Sequence, residues 1–271
     1  MDLFSEYGTI LIILAGAFGF FMAWGVGAND VANAMGTSVG SKALTIKQAI
    51  LIAMVFEFAG AYLAGGEVTS TIRKGIVDSE IFTNSPDLLV FGMLSALLAA
   101  GTWLMIASFM GWPVSTTHSI VGAIVGFAAV GVSVDAVNWS KVSTIVASWV
   151  VSPVIAGTIS FALFRSVQTL ILVHDDPFVR AKKYAPLYMF AVGFLMAMVT
   201  ILKGLKHVFK DIGMSLSFSE SIAWSAMFGI LVAMLGSYLL SKVKRDLALE
   251  EKNRFANVER VFAVLMIFTA C

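Results

Sequence analysis

Residues Leu88–Val134 read LLVFGMLSALLAAGTWLMIASFMGWPVSTTHSIVGAIVGFAAVGVSV, without one Asp, Glu, Lys or Arg. The stretch is about twice the ~20 apolar residues that one helix needs to cross a bilayer. A polar island, Gly111-Trp112-Pro113-Val114-Ser115-Thr116-Thr117-His118-Ser119, sits at its centre. Gly and Pro end a helix, and Ser or Thr just beyond them starts another. The pattern therefore predicts a discontinuous or hairpin helix around 111–119, its second arm beginning near Ser115. Two full spans and a hairpin that enters and returns on one side both fit the apolar run.

Charge-free runs recur on either side of this stretch. No charged residue lies between Glu6 and Asp30, and Glu57 is the one charge between Lys47 and Glu67. Val142–Phe164, Tyr184–Leu202 and Ser221–Ser241 are also free of Asp, Glu, Lys and Arg, each about one membrane thickness long. With 59% hydrophobic and 13% charged residues and a mean hydropathy of +0.90, the chain carries more apolar side chain than a soluble core can hide. The expectation is an all-α integral membrane protein with six spans, or seven if Leu88–Val134 crosses twice. The first run lacks a basic segment before it, since Asp2 and Glu6 are acidic, and is read as retained rather than as a signal peptide.

Basic residues concentrate in cytoplasmic connections. Placing Met1–Tyr7 outside puts Lys42 and Lys47, then Arg165, Arg180, Lys182 and Lys183, then Lys242, Lys244, Arg245, Lys252, Arg254 and Arg260 inside. Glu67, Asp78, Glu80 and Asp87 fall outside. The connection with Lys203, Lys206 and Lys210 runs against this pattern. A single cysteine, Cys271, excludes an internal disulfide framework and a cysteine metal site, and no basic run points to nucleic acid.

Gly25-Val26-Gly27-Ala28-Asn29-Asp30-Val31-Ala32-Asn33-Ala34 places two amides and a carboxylate in an apolar helix, where charge is costly and usually functional. Asn29 and Asn33 lie four residues apart on one face, with Asp30 about 100° around it. Interhelical packing, with Asn as glue between helices, is the plainer reading of the two amides. Around Ser115 a helix N-terminus would offer unpaired N–H groups and the positive end of its dipole to a phosphate-like anion, with hydroxyls adding donors. An interfacial loop, where Pro and Ser-Thr merely cap a helix in water, is the alternative there. Glu57 is a lone carboxylate in the second apolar run, to be met by protonation or a bound cation. No Arg or Lys lies within these runs to neutralise a bound anion, so a co-bound Na+ or H+ at Asp30 and Glu57 is the expected solution, with the two ligands binding cooperatively.

Gly27-Ala28-Asn29-Asp30-Val31-Ala32-Asn33-Ala34 and Pro113-Val114-Ser115-Thr116-Thr117-His118-Ser119 resemble the two signatures of the inorganic phosphate transporter (PiT) family. Phe56-Glu57 and Thr71-Ile72-Arg73-Lys74-Gly75-Ile76 resemble it too, so the likeness covers roughly residues 20–130. The resemblance implies two inverted repeats sharing one phosphate site. It assigns Asn29, Asn33, Ser115, Thr116 and Thr117 to substrate, Asp30, Glu57 and Asn29 to the coupling cation, and His118 and Ser119 to flanking positions. The Gly-Ala-Asn-Asp form resembles the sodium-coupled branch. Val258–Cys271 resembles the approach to a second Asn-Asp helix, so the chain is read as truncated: a transmembrane region over 1–241, a charged cytoplasmic loop over 242–257 and the start of a second repeat over 258–271.

The function expected is secondary import of inorganic phosphate by Na+ symport in a bacterial or archaeal plasma membrane, with no cofactor and no metal beyond Na+. Its partners are phosphate, Na+ and the lipid bilayer, with a homo-oligomer left open. Sulfate as substrate, H+ as coupling ion, and a non-transporting subunit that needs a partner half are the alternatives. A hydrolase using Ser115 or Ser119 with His118 is disfavoured, because adjacent helical side chains point about 100° apart. The chain is therefore not expected to be an enzyme.

Overall fold

The computed structural model describes residues 3–73, 75–77, 82–83, 85–205, 209 and 216–270. Asp78, Glu80, Lys206, Lys210 and Cys271, and Lys74 of the resemblance, lie outside the described residues. The expected all-helical architecture is borne out. The long helices are α1 (Leu3–Gly40), α2 (Ile46–Arg73), α3 (Pro86–Met110), α4 (Thr116–Gly131), α5 (Trp139–Val167), α6 (Pro177–Val199) and α7 (Phe218–Lys242). A short α8 (Leu247–Lys252) and α9 (Ala256–Ala270) follow. Segments of π-helix, Gln168–Leu172 and Thr200–Gly204, extend α5 and α6.

Among the described residues six helices, α1, α2, α3, α5, α6 and α7, are long and apolar enough to cross a membrane. Large apolar side chains point away from the protein along them, among them Phe20, Phe58, Trp224 and Phe161 at 72%, 74%, 53% and 67% exposure. In water that surface would be unsupportable; hydrocarbon accepts it without cost. The chain is an integral membrane protein.

The long apolar run resolves as a helical hairpin. Its second arm, α4, has 16 residues, about 24 Å at 1.5 Å per residue, which is short of a hydrocarbon core ~30 Å thick. The region expected as a charged loop over 242–257 contains α8, whose first turn is capped by Asp246 accepting from the N–H groups of Ala248 and Leu249.

The helices form two compact units interleaved in sequence. One comprises Met1–Ala34 and Val68–Val151, the other Met35–Glu67 and Ser152–Cys271. In the first, α3 and α4 pack around buried Ala96, Val121, Ile124 and Ala128, joined by Ile76, Ala136 and Val137. A Cβ at Gly25 would stand 2.9 Å from the Leu104 Cβ, so α1 and α3 cross where no side chain separates them. In the second unit α6 and α7 meet in the same way at Gly193 and Gly229, and α9 joins them through Val258 and Val261.

Outside the spans, the second unit carries a polar clasp. The Arg245 guanidinium donates to Asp176 at 2.9 Å and, through two nitrogens, to Glu250 at 2.7 and 2.6 Å. Buried Asn257 donates to Glu250 and to the Asp246 carbonyl, and accepts from the Asp246 N–H. Arg245 holds the Glu250 carboxyl below its ordinary pKa, with Asn257 adding to the effect, and Glu250 in turn raises Arg245 above its own.

Candidate functional site

The turn between α3 and α4 is built by local chemistry. Gly111 adopts φ 69°, the left-handed conformation that glycine enters without a Cβ penalty. Its N–H reaches the Ser108 carbonyl at 3.2 Å and that of Trp112 reaches Ala107 at 2.8 Å, the paired bonds of a Schellman motif. Pro113 cannot continue the helix. Ser115 then caps α4, its hydroxyl accepting from the His118 N–H at 3.3 Å, so the expected start near Ser115 is where the new helix begins.

Helix α1 holds this turn from one face, within the first compact unit. Asn29, 5% exposed, donates from Nδ2 to the Trp112 carbonyl at 3.0 Å, and its Oδ1 accepts from the Val114 N–H at 3.3 Å. The same oxygen accepts from Asn33 Nδ2 at 3.1 Å. The next residue, Asp30, accepts a short hydrogen bond on Oδ2 from the Thr116 hydroxyl. The two sequence-separated motifs therefore meet: Asn29, Asp30 and Asn33 lie against residues 112–116.

The turn keeps polar groups in reserve. The backbone N–H groups of Thr116 and Thr117, the Asp30 Oδ1 and the Asn33 Oδ1 have no hydrogen-bond partner among the described residues. Both N–H groups belong to the first turn of α4, where the helix dipole favours an anion. Oxygens of a carboxylate and an amide are hard donors suited to a small cation.

Thr117 and His118 are exposed. The His118 ring lies 3.8 Å, centroid to centroid, from that of Trp149 on α5, and Ser119 donates to the Ser115 carbonyl at 2.8 Å. Among the described residues no hydroxyl bonds the His118 ring. A cleft of about 390 Å³ opens beside the turn, lined by Trp103, Pro113, Val114, Ser115, His118 and Ser119. Glu57, on α2, belongs to the second compact unit. A larger groove of about 1030 Å³ in that unit is lined almost wholly by apolar side chains such as Phe56, Leu63, Trp224 and Phe228, and offers an anion little to bind.

Three contributors were not singled out from the sequence. The Trp112 carbonyl and the Val114 N–H are backbone groups, invisible in side-chain patterns, and Trp103 is one more aromatic residue in an apolar run.

The phosphate transporter family matches residues 26–271 of the chain. A Haemophilus influenzae protein whose name places it among phosphate permeases is 50% identical over all 271 residues, which cover 63% of that relative. Inorganic phosphate transporter 2-1, chloroplastic, of Arabidopsis thaliana is 44% identical over 239 residues, 88% of this chain and 39% of that one. A solved structure described as the sodium-dependent phosphate transporter superposes with a TM-score of 0.82 at 38% identity, covering 96% of this chain and 62% of that one. The chain thus spans less than two thirds of the length of each of these relatives. With its paired motifs and membrane helices, it belongs to the phosphate transporter family.

Proposed function

We propose that this chain carries phosphate- and cation-binding elements of a secondary transporter that imports inorganic phosphate with Na+. The observation that carries the reading is the meeting of Asp30 with the N-terminus of α4 at Thr116, beside unpaired N–H groups of Thr116 and Thr117. Those amides and the hydroxyls of Ser115, Thr116 and Thr117 supply donors for a tetrahedral oxyanion, with Asn33 at the edge of the same site.

An anion drawn to that helix end meets the negative charge of Asp30. A cation held by Asp30 Oδ1 and Asn33 Oδ1 removes the repulsion, so each ligand raises the affinity of the other. That mutual dependence is the physical basis of symport. Na+ is favoured over H+ because the reserved groups are oxygens suited to coordination, and because the solved relative is described as sodium-dependent. Glu57 is assigned to cation coupling through its place in an apolar span.

The test is uptake of labelled phosphate into proteoliposomes holding the 271-residue chain, with and without an inward Na+ gradient and with sulfate as competitor. Sodium-driven, sulfate-insensitive uptake is expected. Uptake driven equally by a proton gradient without Na+ would replace the coupling ion. Absence of uptake both here and in a chain completed to the length of its relatives would overturn the proposal.

A further inference from the structure

We infer that Asn29 is a positioning residue, a two-point amide clamp that fixes the α3–α4 turn through its backbone rather than a ligand of the transported ions. The inference rests on the functional reading above and changes the part assigned to one of its residues.

The geometry leaves Asn29 little to offer a ligand. Its Nδ2 donates one of its two hydrogens to the Trp112 carbonyl, and its Oδ1 already accepts from both the Val114 N–H and Asn33 Nδ2, which leaves a single N–H on a residue almost wholly buried. An amide oxygen has two lone-pair sites, and both are taken. The side chain is 5% exposed, whereas Asn33 four residues on is exposed and keeps its own oxygen unpartnered. Asn33 and Asp30 face the ligand site; Asn29 faces the chain.

The two backbone groups it binds flank Pro113, which has no N–H to satisfy. Asn29 thus pairs with the turn as a neighbouring strand would, with one donor and one acceptor in a single plane. Ser and Thr cannot present both at that separation, and a carboxylate cannot donate. Without the clamp, the Trp112 carbonyl and Val114 N–H of a turn between two apolar helices lose their partner. The Ser115 cap and the first-turn amides of α4 follow immediately, so the clamp sets where the anion-binding N–H groups stand.

Hydrogen exchange of the reconstituted full chain, read on peptides covering residues 111–119, tests this. In the unsubstituted protein the Val114 amide should exchange at least tenfold more slowly than in an unstructured peptide. Asn29→Ala should remove that protection; Asn29→Asp, whose carboxylate still accepts from the Val114 N–H but repels the Trp112 carbonyl it can no longer donate to, should weaken it, while Asn33→Ala leaves most of it. In Asn29→Asp, after correction for intrinsic exchange, protection should return as pH falls through titration of the new carboxyl. The protonated acid regains a donor for the Trp112 carbonyl, and Asn29→Ala cannot. A role in packing alone predicts instead that Asn29→Leu, similar in size and without polar atoms, keeps the Val114 protection, which the clamp does not.

An unprotected Val114 amide in the unsubstituted chain, or Asn29→Asp exchange that does not respond to pH, would overturn the clamp even if Asn29→Ala fails to fold. Added Na+ and phosphate probe the functional reading separately. Slowed exchange at Thr116 and Thr117 supports phosphate binding there, and its absence beside an intact Asn29 effect would sink that reading and leave the clamp standing.

Discussion

At the scale of single residues, the division of labour within Asn29-Asp30 decides what substitutions do. Asp30→Asn keeps the shape and the hydrogen bond to Thr116 but removes the charge proposed to hold a cation. In a chain completed to the length of its relatives, it should lower sodium-driven phosphate uptake at least tenfold, roughly 1.4 kcal/mol, while the protein still inserts. Ser115→Ala with Thr116→Ala removes the α4 cap and the partner of Asp30. It should abolish uptake with the membrane-inserted amount unchanged; normal transport by either variant would refute the assignment. The polar residues of the site were legible in the sequence because Asn, Asp and consecutive hydroxyls are expensive among apolar neighbours. The use of Asn29 was not, because an amide that binds a ligand and one that binds the backbone are the same letter.

At the scale of elements, glycine positions are where packing is least forgiving. A Cβ at Gly229 would stand 2.9 Å from the Phe190 backbone carbonyl, so Gly229→Ala forces α6 and α7 apart and should cost about 1–3 kcal/mol. A lowered thermal unfolding midpoint in detergent would show it, and an unchanged one would mean the helices have slack. Gly111→Ala keeps the turn only by placing a Cβ in a left-handed residue, at about 1–2 kcal/mol. Charge-free runs disclosed the six spans because apolar length is written directly in composition. The depth of the α3–α4 hairpin was not disclosed, since a short returning helix and a full span share the same apolar sequence. The π segments at the ends of α5 and α6 likewise have no marker in an apolar run.

At the scale of the whole molecule, the proposed orientation puts the end of α4 outside and the α7–α9 connection inside. In a Cys271→Ser background, a membrane-impermeant thiol reagent should label Val134→Cys on intact cells and Leu247→Cys only after permeabilisation; both side chains are exposed, at 59% and 69%. The reverse pattern would invert the topology. The clasp of Arg245, Asp176 and Glu250 ties the α5–α6 turn to that connection. Glu250 has a folded pKa below its ordinary value, so its contribution is present above the usual carboxylate range, near about 4.3, and lost as pH falls through the lowered value. Protection of backbone amides over 243–257 should stay level across neutral pH and fall only under acid; in Glu250→Gln the acid step should shrink. High salt should weaken the clasp as well, since the pair faces solvent.

The interleaving of the two compact units also bears on synthesis. Helices α1, α2 and α5 each pass from one unit to the other, changing over after Ala34, Glu67 and Val151. A ribosome working from the N-terminus therefore releases Met35–Glu67 into the bilayer before any of its partners beyond Val151 exist. During that interval the span bearing Glu57 must shelter against lipid or the insertion machinery. No contiguous segment can be cut out and expressed as one complete unit, because each is assembled from two separate lengths of chain.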